Sequence, residues 1–178
     1  MKSIVLAGGC FWGIEKFFSQ FEGLKTETGY ANGPSAEADY RAVCSGLGHT
    51  EAVRIEYPED LHCAQLIALL FEVIDPTSLN RQGNDTGINY RTGIYTSCDK
   101  CLETAKVMLA DLQKQLNRPV VVEAEPLRNF VPAEEYHQHY LDKNPLGYCH
   151  LPPAILHDQK MPSLEQVIQA YPGLEKVL

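Results

Sequence analysis

The sequence predicts an α+β fold, a two-layer α/β sandwich in which helices pack on one mixed sheet. Three observations carry that expectation. Segments in which apolar and polar residues alternate take turns with segments whose apolar residues recur at helical spacing. Turn-forming Gly, Pro, Asn and Asp punctuate the series, and no internal repeat or low-complexity tract interrupts it. The 178 residues, 44% of them hydrophobic, suffice for one buried core and most simply make one domain.

Residues 3–7 carry the apolar run Ile4-Val5-Leu6-Ala7 and read as a buried strand. A helix over 12–21 follows, with Trp12, Ile14, Phe17, Phe18 and Phe21 at helical spacing. Lys25 to Tyr30 alternates as a second strand and ends in the turn Ala31-Asn32-Gly33-Pro34. A short helix fits 37–44. Glu51 to Tyr57 alternates again, with Val53, Ile55 and Tyr57 on one side, until Pro58 ends it. Leu61, Ala64, Ile67, Ala68 and Phe71 mark a strongly apolar helix over 61–74, closed by Asp75-Pro76.

Thr77 to Asn89 is polar and has little to bury, and loops of that length inside a compact domain are more often functional than idle. Arg91 to Thr96 reads as a strand, and 99–116 as a long helix with Leu102, Ala105, Leu109 and Leu112 on one face. Val120 to Ala124 reads as a further strand, and Ala133 to Tyr140 as a short helix that starts after Pro132. Beyond Pro152-Pro153, Ser163 to Ala170 fits a helix capped by Ser163 in Ser-Leu-Glu-Gln, packed on the outside of the domain.

Composition narrows the function classes. A formal charge of -8 argues against nucleic acid or an anionic membrane as the main partner. Nothing approaches the apolar length of a membrane span, and Met1-Lys2-Ser3-Ile4-Val5-Leu6-Ala7 stops short of a signal-peptide core. Cys10, Cys44, Cys63, Cys98, Cys101 and Cys149 are too sparse for a disulfide scaffold. They fit free thiols in a reducing compartment, and hence a cytoplasmic protein.

Cys10 is the most informative of them, because Gly8-Gly9 places it where the first strand gives way to the first helix. Unpaired N–H groups and the positive end of the helix dipole favour an anion there, so its thiol is expected to fall from about 8.5 towards neutrality or below. The alternative is a small core residue beside two aromatics.

Several motifs accompany it in order: Gly9-Cys10-Phe11-Trp12-Gly13, Gly29-Tyr30-Ala31-Asn32-Gly33, Val43-Cys44-Ser45-Gly46, Gly48-His49-Thr50-Glu51 and Asp75-Pro76-Thr77. Leu79-Asn80-Arg81-Gln82-Gly83-Asn84-Asp85, Tyr90-Arg91 and Ala133-Glu134-Glu135-Tyr136-His137-Gln138 complete the series. From about residue 3 to 150 the chain resembles the peptide-methionine (S)-S-oxide reductases, the A-type methionine sulfoxide reductase family. The resemblance implies a thiol-dependent enzyme that returns methionine S-sulfoxide, free or in oxidised proteins, to methionine. It implies a catalytic domain over 1–150, with 151–178 as a C-terminal extension packed on the same domain.

Sulfoxide reduction needs a nucleophile, an acid to make the oxygen a leaving group, and an apolar grip. Cys10 supplies the first. By resemblance Glu51 is the acid, its carboxyl kept protonated near neutrality by an apolar pocket. Phe11 and Trp12 would cage the substrate methyl group. Tyr30 and Tyr90 would offer hydroxyls to the sulfoxide oxygen, Asp85 a further polar contact, and His137 would line or support the site beside Tyr136. Loss of methionine leaves Cys10 as a sulfenic acid, which condenses readily with a second thiol. Cys149, in the turn-rich Asn144-Pro145-Leu146-Gly147-Tyr148-Cys149-His150, matches the family's recycling cysteine. With no cysteine after it, the implied cycle uses two cysteines, no bound cofactor or metal, and thioredoxin (or dithiothreitol in vitro) as reductant, in a monomer.

Cys98-Asp99-Lys100-Cys101 departs from the family pattern. It lies between a strand and a long helix, a setting that activates redox cysteines, and could be a second redox centre, half of a zinc site, or two incidental thiols. No second Cys-x-x-Cys and no suitably spaced Cys/His pair completes a zinc set, since His137 and His139 point differently on a helix. Cys44 and Cys63 are expected to pack inside. Two other classes stay open on the residues alone. A cysteine-dependent hydrolase would need His and Asn or Asp partners for Cys10 and offers no use for Cys149. A thiol or metal-binding module on Cys98 and Cys101 would leave Cys10 dispensable.

Overall fold

The computed structural model describes residues 1–178. Its elements run β1 (Lys2–Gly8), α1 (Phe11–Ser19), β2 (Lys25–Ala31), α2 (Tyr40–Cys44), β3 (Thr50–Tyr57), α3 (Cys63–Val73), β4 (Arg81–Gln82) and β5 (Asp85–Thr86). They continue as β6 (Thr92–Thr96), α4 (Asp99–Gln115), β7 (Glu123–Pro126), β8 (Phe130–Pro132), α5 (Tyr140–Lys143) and α6 (Leu164–Ala170). Short 3-10 turns lie at Ile88–Tyr90, Glu135–His137, Pro153–Leu156 and Pro172–Lys176.

Six strands form one sheet in the order β7-β6-β1-β3-β2-β8, while β4 and β5 make a separate hairpin. Only β6 and β7 run parallel, so the sheet is mixed, as the periodicities predict. Strand alternation sorts its two faces. Ile4, Leu6, Val53, Ile55, Tyr57 and Ile94 face one large core shared with Phe11, Ile14, Phe17 and Phe18 of α1 and with α3. Val5, Ala7, Ala31, Ala52 and Tyr95 face the other way, into a small cluster covered by Leu127 and Phe130. Nearly all of α3 is buried, consistent with its apolar residues running round the whole helix.

Four segments differ from the sequence reading. The helix expected over 133–140 is broken. Glu135–His137 is a 3-10 turn, and His139 adopts a left-handed φ of 50° before α5 begins. The buried Glu15 of α1 holds that kink by accepting the His139 N–H at 2.6 Å. The strand expected over 120–124 pairs only from Glu123. The Val120 and Val121 N–H groups donate elsewhere, to Gln113 Oε1 at 2.7 Å and Pro76 O at 2.8 Å. The edge strand β8 escapes the sequence because three residues ending in Pro132 carry no readable alternation. The helix placed at 37–44 begins only at Tyr40, after the Asp39 cap.

The polar stretch 77–89 has more to bury than expected, and what it buries is polar. The Gln82 side chain accepts the Asp75 N–H and donates to the Asp75 carbonyl, both at 2.9 Å. Thr50 Oγ1 donates to Asn89 O at 3.2 Å and Arg91 O at 2.9 Å. Arg91 reaches Gly48 O, Ile88 O and Asn32 O at 3.0, 2.9 and 3.1 Å and the Glu123 carboxylate at 2.7 Å. Cys63 packs inside as expected, but Cys44, at the end of the short α2, is exposed.

Leu151, Leu156, Val167 and Leu174 join the same large core as α1 and α3. Ser163 and Gln166 form the reciprocal cap that Ser-Leu-Glu-Gln predicts. Leu174 is fully buried. Leu174→Ala should therefore cost about 2–5 kcal/mol in urea unfolding, a core-sized loss; a change below about 0.5 kcal/mol would place the tail outside the cooperative unit.

Candidate active site

The site lies where β1 ends and α1 begins. Gly9 turns the chain with φ at 92°, and Cys10 is the N-cap of α1. A Cβ at Gly9 would stand 2.7 Å from Gln82 Cβ and 3.3 Å from His150 Nε2, so only glycine lets the hairpin and the 144–150 segment close over this turn. That closure leaves Cys10 6% exposed. The expected fall of its pKa is overturned. Burial, and then the Glu51 carboxyl, push the thiol well above its ordinary value, against the lowering effect of the Trp12 and Gly13 N–H groups. Cys10 thus rests as a neutral thiol, because helix-end N–H groups do not offset the loss of water.

Glu51 sits in β3 opposite Tyr30 of β2, and is 1% exposed. Its Oε1 accepts the Phe11 N–H at 3.2 Å, while Oε2 is buried without a partner. Burial, outweighing the Phe11 N–H, pushes the carboxyl up to about 8, and Asp85 adds to the rise. Near neutrality Glu51 holds its proton beside the Cys10 thiol.

Aromatic rings form the adjoining wall. Phe11 is buried, 5.1 Å from the His137 ring and 5.7 Å from Tyr30. Trp12 stacks on Tyr140 at 3.7 Å and 12°, and its Nε1 donates to His137 Nδ1 at 3.0 Å. The His137 proton is thereby assigned to Nε2, which is buried without a partner, and burial holds the ring below its ordinary pKa. The Tyr30 hydroxyl donates to Glu134 Oε1 at 2.7 Å. Its hydrogen is therefore engaged, and the carboxylate raises its pKa further on top of burial. Tyr90, half-buried, is raised by burial and by Glu51.

Cys149 completes the group. A Cβ on Gly13 would stand 3.0 Å from Cys149 Sγ and 3.2 Å from the His150 ring, so both side chains rest on the first turn of α1. His150 Nε2 lies 3.1 Å from Gly8 O, and Tyr148 donates to Asp85 at 3.0 Å, tying this segment to the β4–β5 hairpin. Burial raises the Cys149 thiol as well. The residues read from the sequence as catalytic or substrate-binding thus lie at this one end of the sheet, whereas Cys98 and Cys101 lie beside Tyr57 and Lys2 at the other.

Sequence reasoning missed others. Glu134 takes the Tyr30 hydroxyl with one oxygen and the Tyr40 N–H, at 3.1 Å, with the other. Nothing in Glu134-Glu135 distinguishes the two acids before folding. His150 and Tyr140 were passed over too, although each adjoins a residue that matters. No cluster of three or more His, Cys, Asp or Glu residues suited to a metal ion is present.

Residues 2–168 match the family described as "Peptide methionine sulfoxide reductase". The chain belongs to this family. A peptide methionine sulfoxide reductase MsrA of Lachnoclostridium phytofermentans is 50% identical over 153 residues, covering 84% of this chain and 92% of the relative. That of Mycoplasma genitalium is 49% identical over 154 residues, 85% and 98% of the two chains. Among solved structures, reduced Mxr1 from Saccharomyces cerevisiae aligns with a TM-score of 0.79 at 35% identity, covering 89% of this chain and 92% of Mxr1. Methionine sulfoxide reductase A of Corynebacterium diphtheriae aligns with a TM-score of 0.74 at 36% identity, over 83% and 77%.

The Glu51 environment in this reductase-family chain has a thermodynamic signature. Below the ordinary carboxyl value of 4.5 folded and unfolded chains both hold the proton; between there and about 8 only the folded chain does. Stability conferred by this group therefore falls as pH rises across that window. Glu51→Gln removes the dependence. It should be more stable than wild type by about 1–3 kcal/mol at pH 7 and equal to it at pH 4, by urea unfolding at both pH values.

Proposed function

We propose that this chain reduces methionine S-sulfoxide, free and in proteins, to methionine, with Cys10 as nucleophile, Glu51 as acid, Cys149 as resolving thiol and thioredoxin as reductant. The observation that carries the reading is the protonated Glu51, with one oxygen unpartnered, beside the N-cap thiol of a chain in this family. Cys10 Sγ attacks the sulfoxide sulfur as Glu51 gives its proton to the oxygen, and the Cys10 proton returns to Glu51. Methionine leaves, and Cys10 keeps the oxygen as a sulfenic acid. A negative charge developing in this site would be met by the Trp12 and Gly13 N–H groups, which favour the thiolate against burial.

Trp12, held by Tyr140 and His137, and the buried Phe11 supply an apolar wall for the methyl group. Tyr90 is the better placed hydroxyl for the sulfoxide oxygen, since Tyr30 gives its hydrogen to Glu134. Asp85, bonded by Tyr148, holds the recycling segment over the site. The Cys149 thiol then attacks the Cys10 sulfenic sulfur, forming the disulfide and releasing water. Thioredoxin as the reductant is supported by the related Mxr1, solved in complex with Trx2, which aligns with a TM-score of 0.56 at 25% identity. No helix here is long and apolar enough to cross a membrane. The reading includes a cytoplasmic monomer, with 1–150 as the catalytic unit and 151–178 as its extension.

Turnover of a methionine S-sulfoxide peptide tests the roles. Cys10→Ser should lose at least about a thousandfold in kcat/KM with dithiothreitol, and full activity would overturn the reading. Cys149→Ser should give one stoichiometric turnover and then stall with thioredoxin, leaving a Cys10 sulfenic acid that dimedone traps. The R-sulfoxide peptide should not turn over.

The acid leaves a pH signature. As Glu51 loses its proton, kcat/KM should fall about tenfold per unit above pH 8. Glu51→Gln should lower activity about 10²–10⁴-fold and abolish that limb, which a pH series on both proteins reads.

A further inference from the structure

Five of the six thiols form two sets separated by the length of β1, with Cys44 outside both. Cys10 and Cys149 lie at its C-terminal end. At the other end, roughly 20 Å away by strand rise, Cys63, Cys98 and Cys101 meet. Cys98 is the N-cap of α4 and Cys101 lies in its first turn, with the Cys101 N–H donating to Cys98 Sγ at 3.4 Å. Tyr57 of β3 brings its hydroxyl to 3.9 Å from Cys101 Sγ. Cys63 opens α3 beneath it, buried, and Cys101 packs on the core it belongs to.

A cavity of about 310 Å³ opens over this group, lined by Cys98, Cys101, Tyr57, Lys2, Tyr95 and Leu127. The Lys2 ammonium lies 5.2 Å from the centre of the Tyr57 ring. Cys98 is exposed and Cys101 half-buried, so small reagents reach both. Cys98 is an extended N-cap, so its side chain is free of helical spacing and already folds back over the first turn, with its Sγ 3.4 Å from the Cys101 N; a small shift of this helix start brings the two Cβ atoms to the roughly 4 Å that a disulfide needs.

We propose that Cys98 and Cys101 form a second redox centre, separate from the catalytic site, in which Cys101 reacts with a hydroperoxide and Cys98 closes a disulfide on it. The surroundings favour the Cys101 thiolate. Hydrogen bonds from Cys63 first, and from Cys98 and Tyr57, together with the Lys2 charge, hold it down to about 6 against burial. Cys63 and Tyr57, both pushed up, keep the hydrogens they donate. The Cys101 thiolate attacks the terminal peroxide oxygen; an S–O bond forms, the O–O bond breaks, and the alkoxide leaves with a proton from water. The Cys98 thiol then attacks the Cys101 sulfenic sulfur, an S–S bond forms and water leaves. In sum, two thiols and one hydroperoxide give a disulfide, an alcohol and water, and an external dithiol reverses the step.

The sequence supplies a direct readout, because Lys100 separates the two cysteines. The probe is one equivalent of hydrogen peroxide at pH 7 on the full chain carrying Cys10→Ser and Cys149→Ser, quenched by alkylation and digested with trypsin. Peptides 92–100 and 101–106 should appear joined by a disulfide, formed at least about tenfold faster than oxidation at the exposed Cys44. Adding Cys98→Ser, which keeps a good N-cap, should leave a dimedone-reactive sulfenic acid on Cys101, and Tyr57→Phe should slow the reaction severalfold. Oxidation of Cys44 ahead of Cys101 would overturn the proposal. So would a Cys63–Cys101 disulfide in place of Cys98–Cys101.

Discussion

The hydrogen bond from the Phe11 N–H to the Glu51 carboxyl joins the first turn of α1 to the third strand, and the chemistry of the site depends on it. It places an acid beside a thiol while shutting water out of both. The exclusion of water keeps the proton on Glu51 and, by the same physics, keeps it on Cys10. A site of this kind has no standing thiolate. In the reaction proposed above, the nucleophile is released only as a substrate oxygen draws the Glu51 proton away, so activation and substrate binding become one event.

Holding that pair dry takes a polar scaffold as much as an apolar core. Arg91 gathers three backbone carbonyls from the 32, 48 and 88 loops and one carboxylate. Gln82 clasps Asp75 from both sides, and the Gln138 amide bridges Thr28 O and Ala133 O at 2.9 and 3.0 Å. Each contact satisfies backbone groups that loops would otherwise leave bare. The apolar sandwich positions β1 and α1; these side chains position everything that closes over their junction.

The division between what was legible and what was not follows the same line. Strands β1 and β3 and helices α1, α3 and α4 bury continuous apolar faces, and a face of that kind writes its period into the chain. The β8 edge is only three residues long, and the start of β7 and the left-handed His139 are set by individual hydrogen bonds to Gln113, Pro76 and Glu15, none of which leaves a periodic trace. In the site, Cys10, Glu51 and Cys149 were readable from ordered motifs. Their proton affinities were not, because the helix start is visible locally while the depth of Cys10 depends on His150 and Gln82 arriving from elsewhere. Glu134 was hidden for a related reason, since only the folded position of Tyr30 tells it from Glu135.

Trp12 is the chain's single tryptophan, and its indole is sandwiched into the site by stacking on Tyr140 and bonding to His137. All indole emission from this protein therefore originates beside Cys10. The molecule carries its own optical gauge, in which any rearrangement of the 137–149 segment over the thiol alters brightness or colour with no label attached.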